Sequence, residues 1–441
     1  MAENIRRKNN KYFHSVRLKE DLCVGCTHCL RTCPTEAIRV IDGKAVISEQ
    51  RCIDCGECIR TCPTDAKYAL TSPFKMIENF KYRVALPAPS FMAQFDSDKI
   101  SLDKVYTALN LIGFQYIFEV AAAAELVNFA TEQYLKKTKK KPLISSACPA
   151  VIRLILTRFP EYVDNIAMLE PPMDIAAKIS KELVMEKEQA KESEVGVFFI
   201  SPCAAKVTAV KEPAGKEKSP VTGVFSMTEI YDRVMSVLKD IKKIKKFEHA
   251  GKMGIIWGVH EGELQSAHVK KKVAVAGIHN VISFFENIGL KVFNNLDFIE
   301  AQACIPGCVG GVLAPTDKFL AKIRLKELAT KLKISQLHPE KIIKKYNMDF
   351  FLLEKKPEPR NISKLDTDLI KAMEKSEQID QLTEEFPGID CGICGCPTCR
   401  ALAEDIVLEG KLSKFDCIFI LKQKIKNIKD ELESNDNFKK K

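Results

Sequence analysis

A chain of 441 residues exceeds what one ordinary hydrophobic core accommodates, so roughly two to four domains are expected. Its 46% hydrophobic and 29% charged residues fit a globular protein, and no run reaches the roughly 18 apolar residues of a membrane span. The formal charge of +10 raises nucleic acid and membrane surfaces as partners. However, the lysines lie in solvated runs such as Lys136–Lys141 and Ile241–Lys246, with no basic stripe interleaved with aromatics, so neither partner is expected. The residues up to Leu22 contain no apolar stretch; no signal peptide is expected there, and the expected location is cytoplasmic. In that compartment thiols stay reduced, and closely spaced cysteines bind metal more often than they form disulfides.

All seventeen cysteines fall inside motifs. The first block reads C-x2-C-x2-C-x3-C-P twice: Cys23, Cys26, Cys29 and Cys33 precede Pro34, and Cys52, Cys55, Cys58 and Cys62 precede Pro63. In this spacing three cysteines of one run share a cluster with the fourth of the other. The predicted sets are therefore Cys23, Cys26, Cys29 and Cys62, and Cys52, Cys55, Cys58 and Cys33. Paired zinc sites are the alternative, but zinc motifs join two C-x2-C units across a longer gap. Ile38–Ile47 is a short β-ribbon between the runs, and residues 1–80 form an α+β ferredoxin-like domain with two [4Fe-4S] clusters. Bound thiolates would also offset much of the formal positive charge.

From Tyr82 the pattern becomes α/β. Strand-like runs alternate with helical ones over Tyr82–Leu86, Val105–Gly113, Leu143–Ser145, Val195–Ile200, Met253–Gly258, Val273–Ala276 and Ile278–Asn287. Cys148, Cys203 and Cys304 each follow closely on an apolar run, where parallel strands present ligands to a cofactor. Cys304 and Cys308 place two thiols in one turn, with Gly307, Gly310 and Gly311 allowing close backbone approach.

The segments SSACP, SPCAAK and EAQACIPGCVGG resemble the three signatures of the [FeFe]-hydrogenase catalytic domain, over about residues 82–370. The resemblance implies a two-lobed α/β domain, taken as 81–370, in which Cys148, Cys203, Cys304 and Cys308 hold the cubane of an H-cluster. Cys308 would also bridge to a diiron subcluster carrying CO, CN and a bridging dithiolate. It implies that Lys206 donates to a cyanide ligand; an exposed surface lysine is the plain alternative. Ala88, Pro89 and Ser90 match the A-P-S segment lining the same cavity.

The departures from that pattern bear on function. Ala147 stands where catalytic members have a proton-passing cysteine, and alanine has no transferable proton. Ser201 and Gln302 replace methionines, Met173 stands where glutamine is usual, and Ala209 where glutamate is expected. No relay carboxylate can be placed within Ala121–Glu132. Groups around a metal site tune its potential and protonation, so a bound but slow cofactor is expected. This is the pattern of the sensory branch of the family. That resemblance implies H2 and protons as substrates, and a redox or signalling partner such as a ferredoxin, a phosphatase or a kinase. Two alternatives stay open: an electron-bifurcating or ferredoxin-linked metabolic hydrogenase with a rerouted proton path, and a non-catalytic iron–sulfur scaffold or electron carrier.

After a charged helical stretch, Lys371–Phe386, the sequence PGIDCGICGCPTC resembles a small iron–sulfur domain, taken as 371–425. Cys391, Cys394, Cys399 and Cys417 are the implied [4Fe-4S] ligands, with the helix Arg400–Glu409 between them. Cys396 is read as a spare thiol, and a zinc knuckle is the competing assignment. The charged tail 426–441 is expected to be an exposed, frayed helix. His14, His28, His249, His260, His268, His279 and His338 show no metal-ligand pairing in sequence.

Overall fold

The computed structural model describes residues 12–266, 269–332, 346–360, 362 and 365–439; His268, His338 and the end of the tail lie outside them. The described residues form two compact units, one of 12–16, 53–56 and 69–360, the other of 17–52, 57–68 and the described residues beyond 361.

In the second unit the ferredoxin-like repeat is visible in the backbone. β1 (Val16–Leu18) pairs with β4 (Lys67–Ala69), and β2 (Ile38–Ile41) with β3 (Lys44–Ile47) in antiparallel register from Ile38–Ile47 to Ile41–Lys44. Asp42 and Gly43 both take positive φ, as a two-residue hairpin turn of matching twist requires. Each run carries a one-turn helix, His28–Arg31 or Glu57–Arg60. The last cysteine of each run accepts a backbone N–H: Ala37 donates to Cys33 Sγ at 3.2 Å, and Ala66 to Cys62 Sγ at 3.3 Å.

The C-terminal segment belongs to the same unit. Helices Leu369–Glu385 and Cys399–Glu409 pack around Ile379, Phe386, Leu402 and Cys417. Asp368 and Thr398 cap their N-termini, and Gly410 ends the second in the left-handed conformation. The segment extends the hairpin: Val40 N–H donates to the Gly395 carbonyl at 2.9 Å, and Arg39 forks onto Asp405 at 2.6 and 3.1 Å.

The larger unit contains two parallel sheets. β5 (Tyr82–Pro87), β6 (Tyr116–Ile117), β8 (Val195–Ser201) and β9 (Gly223–Ser226) form one, in the order β6-β5-β8-β9. All seven residues of β8 are buried, as an unbroken apolar run in a central parallel strand demands. β7 (Leu143–Ile144), β10 (Lys272–Ala276) and β11 (Phe298–Gln302) form the other, in the order β10-β11-β7. Each sheet has its own apolar layer, one around Phe198, Phe225 and Met227, the other around Ile144, Leu154 and Ile299. These are the two lobes expected. Val105–Gly113 lies mostly in the helix Leu102–Leu111, Met253–Gly258 in two short helical turns, and Ile278–Asn287 in a helix of the same bounds. No helix among the described residues is long and apolar enough to cross a membrane.

Candidate metal centres

In the ferredoxin-like module Cys23, Cys26, Cys29 and Cys62 line one cavity of about 330 Å³, together with Gly25, Val40 and Lys67. Gly25 takes φ +66°, and a Cβ there would meet the Gly43 carbonyl oxygen at 2.7 Å, so the loop closes only with glycine. Burial raises the Cys29 thiol, and the charge of Lys67 opposes it. Burial pushes the Cys62 thiol the same way, but backbone and side-chain donors from Thr64 and backbone donors from Ala66 and Lys67 outweigh it and lower it. Of the second predicted set, Cys33 and Cys58 pack beside Leu30 and Ile38, and Cys52 is buried. Cys55 packs with Cys148 and Cys203 on the apolar layer of the three-stranded sheet.

Between Cys52 and Cys55 stands Asp54, which sequence reading passed over. It is buried and accepts from Ser15 N–H at 2.8 Å, Val16 N–H at 3.1 Å, Thr208 Oγ1 at 2.8 Å and Arg153 at 3.1 Å. These contacts lie within the larger unit and tie Asp54 to the helices Pro149–Arg158 and Ala204–Lys211.

Near the C-terminus, Cys391, Cys394, Cys396, Cys399 and Cys417 line a cavity of about 340 Å³. Cys396 differs from the others: its thiol donates to Asp405 Oδ2 at 3.4 Å and is 1% exposed. A hydrogen bond from Cys396 lowers Cys394 to about 6, while the Cys396 thiol itself is raised.

The central cysteines all sit at carboxyl ends of parallel strands. Cys148 lies beyond β7 and precedes the helix Pro149–Arg158; Cys203 follows β8 and precedes Ala204–Lys211; Cys304 and Cys308 occupy the loop after β11. Thiols at helix N-termini gain from the aligned N–H dipoles when ionised. Burial raises Cys203 to about 12, the charge of Cys148 adds to this, and Lys206 opposes it. Cys308 is raised by burial and likewise feels Lys206 and Cys148. These mutual effects bring Cys148, Cys203, Cys308 and Lys206 to one place. Bound iron reverses the cost, because a coordinating thiol is deprotonated outright. A Cβ on Gly311 would lie 2.2 Å from the Pro202 carbonyl oxygen, so the loops of Cys203 and Cys308 interlock only with glycine there.

The surrounding residues fit a polar, ligand-bearing group. Ser90, in the turn opened by Pro89 after Ala88, is fully buried, and its Oγ has no hydrogen-bond partner among the described residues; the same holds for Gln302 Oε1. Such orphaned atoms are costly unless a cofactor meets them. Lys206 lies over the Phe199 ring at 5.4 Å. Ser201 Oγ accepts from Cys203 N–H at 3.0 Å and donates to the Cys203 carbonyl, shaping the loop. Met173 is buried in the main core at the start of the helix Pro172–Glu188. Ala209 lines a separate cavity of about 520 Å³ with Arg153 and Lys216.

Ala147 borders a cavity of about 230 Å³, with Ser145, Ser146, Glu170 and Glu263 among its walls. Ser145 Oγ donates to Glu263 Oε2 at 2.6 Å and accepts from Ala147 N–H at 3.2 Å. Glu263 is raised to about 8 by burial and by the charge of Glu300. Glu300 is itself buried and accepts from Glu261 and Leu264 N–H at 3.0 and 2.7 Å; burial raises it to about 7. Sequence reading missed both carboxyls. The one available signal was a charge at Glu300, inside the apolar strand Phe298–Gln302. Glu125, in the stretch where no relay group could be placed, is buried and accepts from Gly254 N–H at 3.3 Å.

Three family profiles match the chain. The C-terminal domain of the iron only hydrogenase large chain matches residues 81–255, a 4Fe-4S dicluster domain 15–63, and an Fe-S cluster domain 386–419. The first span includes Cys148 and Cys203 and ends before Cys304. Iron hydrogenase 1 of Clostridium pasteurianum is 24% identical over 284 residues, 53% of this chain and 49% of that protein. The periplasmic [Fe] hydrogenase large subunit of Nitratidesulfovibrio vulgaris is 25% identical, over 58% of this chain and 67% of its own length. The cytosolic Fe-S cluster assembly factor NAR1 of Yarrowia lipolytica is 22% identical over 31% of each. The chain thus spans about half the length of the first of these relatives and less than a third of the last. Two solved structures of [FeFe]-hydrogenase from Chlamydomonas reinhardtii superpose with TM-scores of 0.52, at 14% and 13% identity, over 64% and 66% of this chain and 95% and 98% of theirs. At that identity the likeness establishes the fold.

Proposed function

For a chain whose residues 81–255 match the iron only hydrogenase large-subunit profile, we propose slow, reversible H2 oxidation and proton reduction, used to report hydrogen or redox state to a partner protein. The observation that carries this reading is the gathering of Cys148, Cys203, Cys308 and Lys206 in a domain that also leaves Ser90 Oγ and Gln302 Oε1 buried without partners among the described residues. When bound, a cubane joined to a CO- and CN-ligated diiron subcluster supplies the splitting of H2 into protons and electrons.

The chain's own residues set its pace. Cys148, Cys203, Cys304 and Cys308 would hold the cubane, and Lys206 and the buried Ser90 hydroxyl would be donors for its anionic ligands. Ala147 cannot carry a proton, and groups that can, Ser145 and Glu263, line the same cavity and are hydrogen-bonded to each other. Raised above the usual carboxylate range, Glu263 holds its proton near neutral pH and is suited to pass it on; the slow pace rests on Ala147, which breaks the relay at its first step. A cytoplasmic setting accords with the reduced thiols this scheme requires.

Similarity to an assembly factor favours a second reading, a non-catalytic iron–sulfur scaffold. Anaerobic reconstitution of the clusters, addition of a synthetic diiron subcluster, infrared spectra and dye-linked H2 turnover separate the two. Carbonyl and cyanide bands with slow turnover are expected. Their absence selects the scaffold, and turnover matching fast hydrogenases rejects the sensory role.

A further inference from the structure

The two cysteine runs of the ferredoxin-like module end in nearly the same sequence, Cys33-Pro34-Thr35-Glu36-Ala37-Ile38 and Cys62-Pro63-Thr64-Asp65-Ala66-Lys67. Their backbones match as well: Glu36 and Asp65 both take φ 52°, and Ala37 and Ala66 donate alike to Cys33 and Cys62. Only the residue at the end differs in kind. Ile38 is 2% exposed, as an apolar residue there should be, yet Lys67 is 3% exposed. Its Nζ is shut off from solvent and has no hydrogen-bond partner among the described residues. A buried ammonium without a partner is costly, so the fold retains it against its own stability. Lys67 lines the cavity ringed by Cys23, Cys26, Cys29 and Cys62, and its charge acts on the Cys29 thiol.

We propose that Lys67 tunes the reduction potential of the cluster held by Cys23, Cys26, Cys29 and Cys62, making it the preferred resting place for an electron within the module. The inference rests on the reading of those cysteines as cluster ligands. A cubane with four thiolates is anionic and gains one further negative charge on reduction, the electron coming from a low-potential one-electron donor, dithionite in the titration below. A cation in the same low-dielectric cavity stabilises the reduced form more than the oxidised one. The other run offers an isoleucine at the matching position, so the two clusters are held by like loops but differently charged surroundings. Val40 lines the same cavity and bonds Gly395, so the electron-holding cluster lies on the side where the C-terminal segment docks.

The test is a redox titration followed by electron paramagnetic resonance on the full chain, reconstituted with iron and sulfide only. The first cluster's signal is identified as the one lost in Cys26→Ser. Lys67→Met should make that cluster harder to reduce by about tenfold or more in its equilibrium, about 59 mV for a one-electron couple. Lys67→Arg should stay close to the wild type, and iron content should be unchanged in both. Unmoved potentials in Lys67→Met, a shift on another signal, an equal fall in Lys67→Arg, or lost iron would each overturn the proposal, the last by making Lys67 a structural prop. A wild-type chain with no [4Fe-4S] signal would instead overturn the ligand reading, and this inference with it.

Discussion

Ser145 donates to Glu263 at 2.6 Å, although 118 residues separate them in the chain, and the same hydroxyl receives the N–H of Ala147 at 3.2 Å. A proton-bearing pair thus stands two residues from the position where the family's catalytic members keep a cysteine.

Glu263→Gln should lower H2 turnover of the fully loaded chain by about tenfold or more, within the range that positioned acid–base groups contribute. Infrared bands of the cofactor should stay unchanged. Ala147→Cys should raise turnover, and in that background Glu263→Gln should cost less. Equal losses in both backgrounds would mean that Glu263 does not serve the proton route.

Stability should fall with rising pH around this pair. Glu263 and Glu300 are raised to about 8 and about 7, above the unfolded carboxyl value near 4.3. Their protonated form therefore stabilises the fold fully below about pH 4, and the contribution is lost as pH rises through the folded values. The melting temperature of the apo chain should drop progressively between about pH 4 and pH 8 and level off above that. Glu263→Gln should flatten that slope, and an unchanged slope would count against the pair.

Asp54→Ala leaves Arg153, 4% exposed in its side chain, without its buried carboxylate partner. Loss of one member of such a pair costs about 3–5 kcal/mol. Urea denaturation should record it. Asp54→Asn, which keeps part of the hydrogen bonding to Ser15 and Val16, should cost less.

Cys417→Ala should remove about four irons per chain, one cubane's worth, whereas Cys396→Ala should remove none. Iron and sulfide analysis of the reconstituted chain distinguishes them. Iron lost from the Cys396 variant would make it a ligand in place of a neighbour.

The cysteine blocks were legible in the sequence because the spacing of thiols within one tight turn is a local property. Cys23, Cys26 and Cys29 reach a common cavity through a loop of a few residues, and the fourth, Cys62, follows from the repeat. The strands before Cys148 and Cys203 were legible for a similar reason, since their apolar runs are continuous. Whether Val105–Gly113 and Met253–Gly258 are strand or helix was left open, because short apolar runs suit a buried helix and a strand equally.

What the sequence by itself determined, then, is which side chains can hold iron, and that Ala147 cannot carry a proton. Tertiary structure alone decided which polar groups stand beside those sites. Ser145, Glu263 and Glu300 come from separate stretches and meet only when the three-stranded sheet and its helices close. Lys67 reads as one more lysine until burial is known. A charge acquires its energetic meaning from the dielectric around it, and that is set by packing rather than by position in the chain.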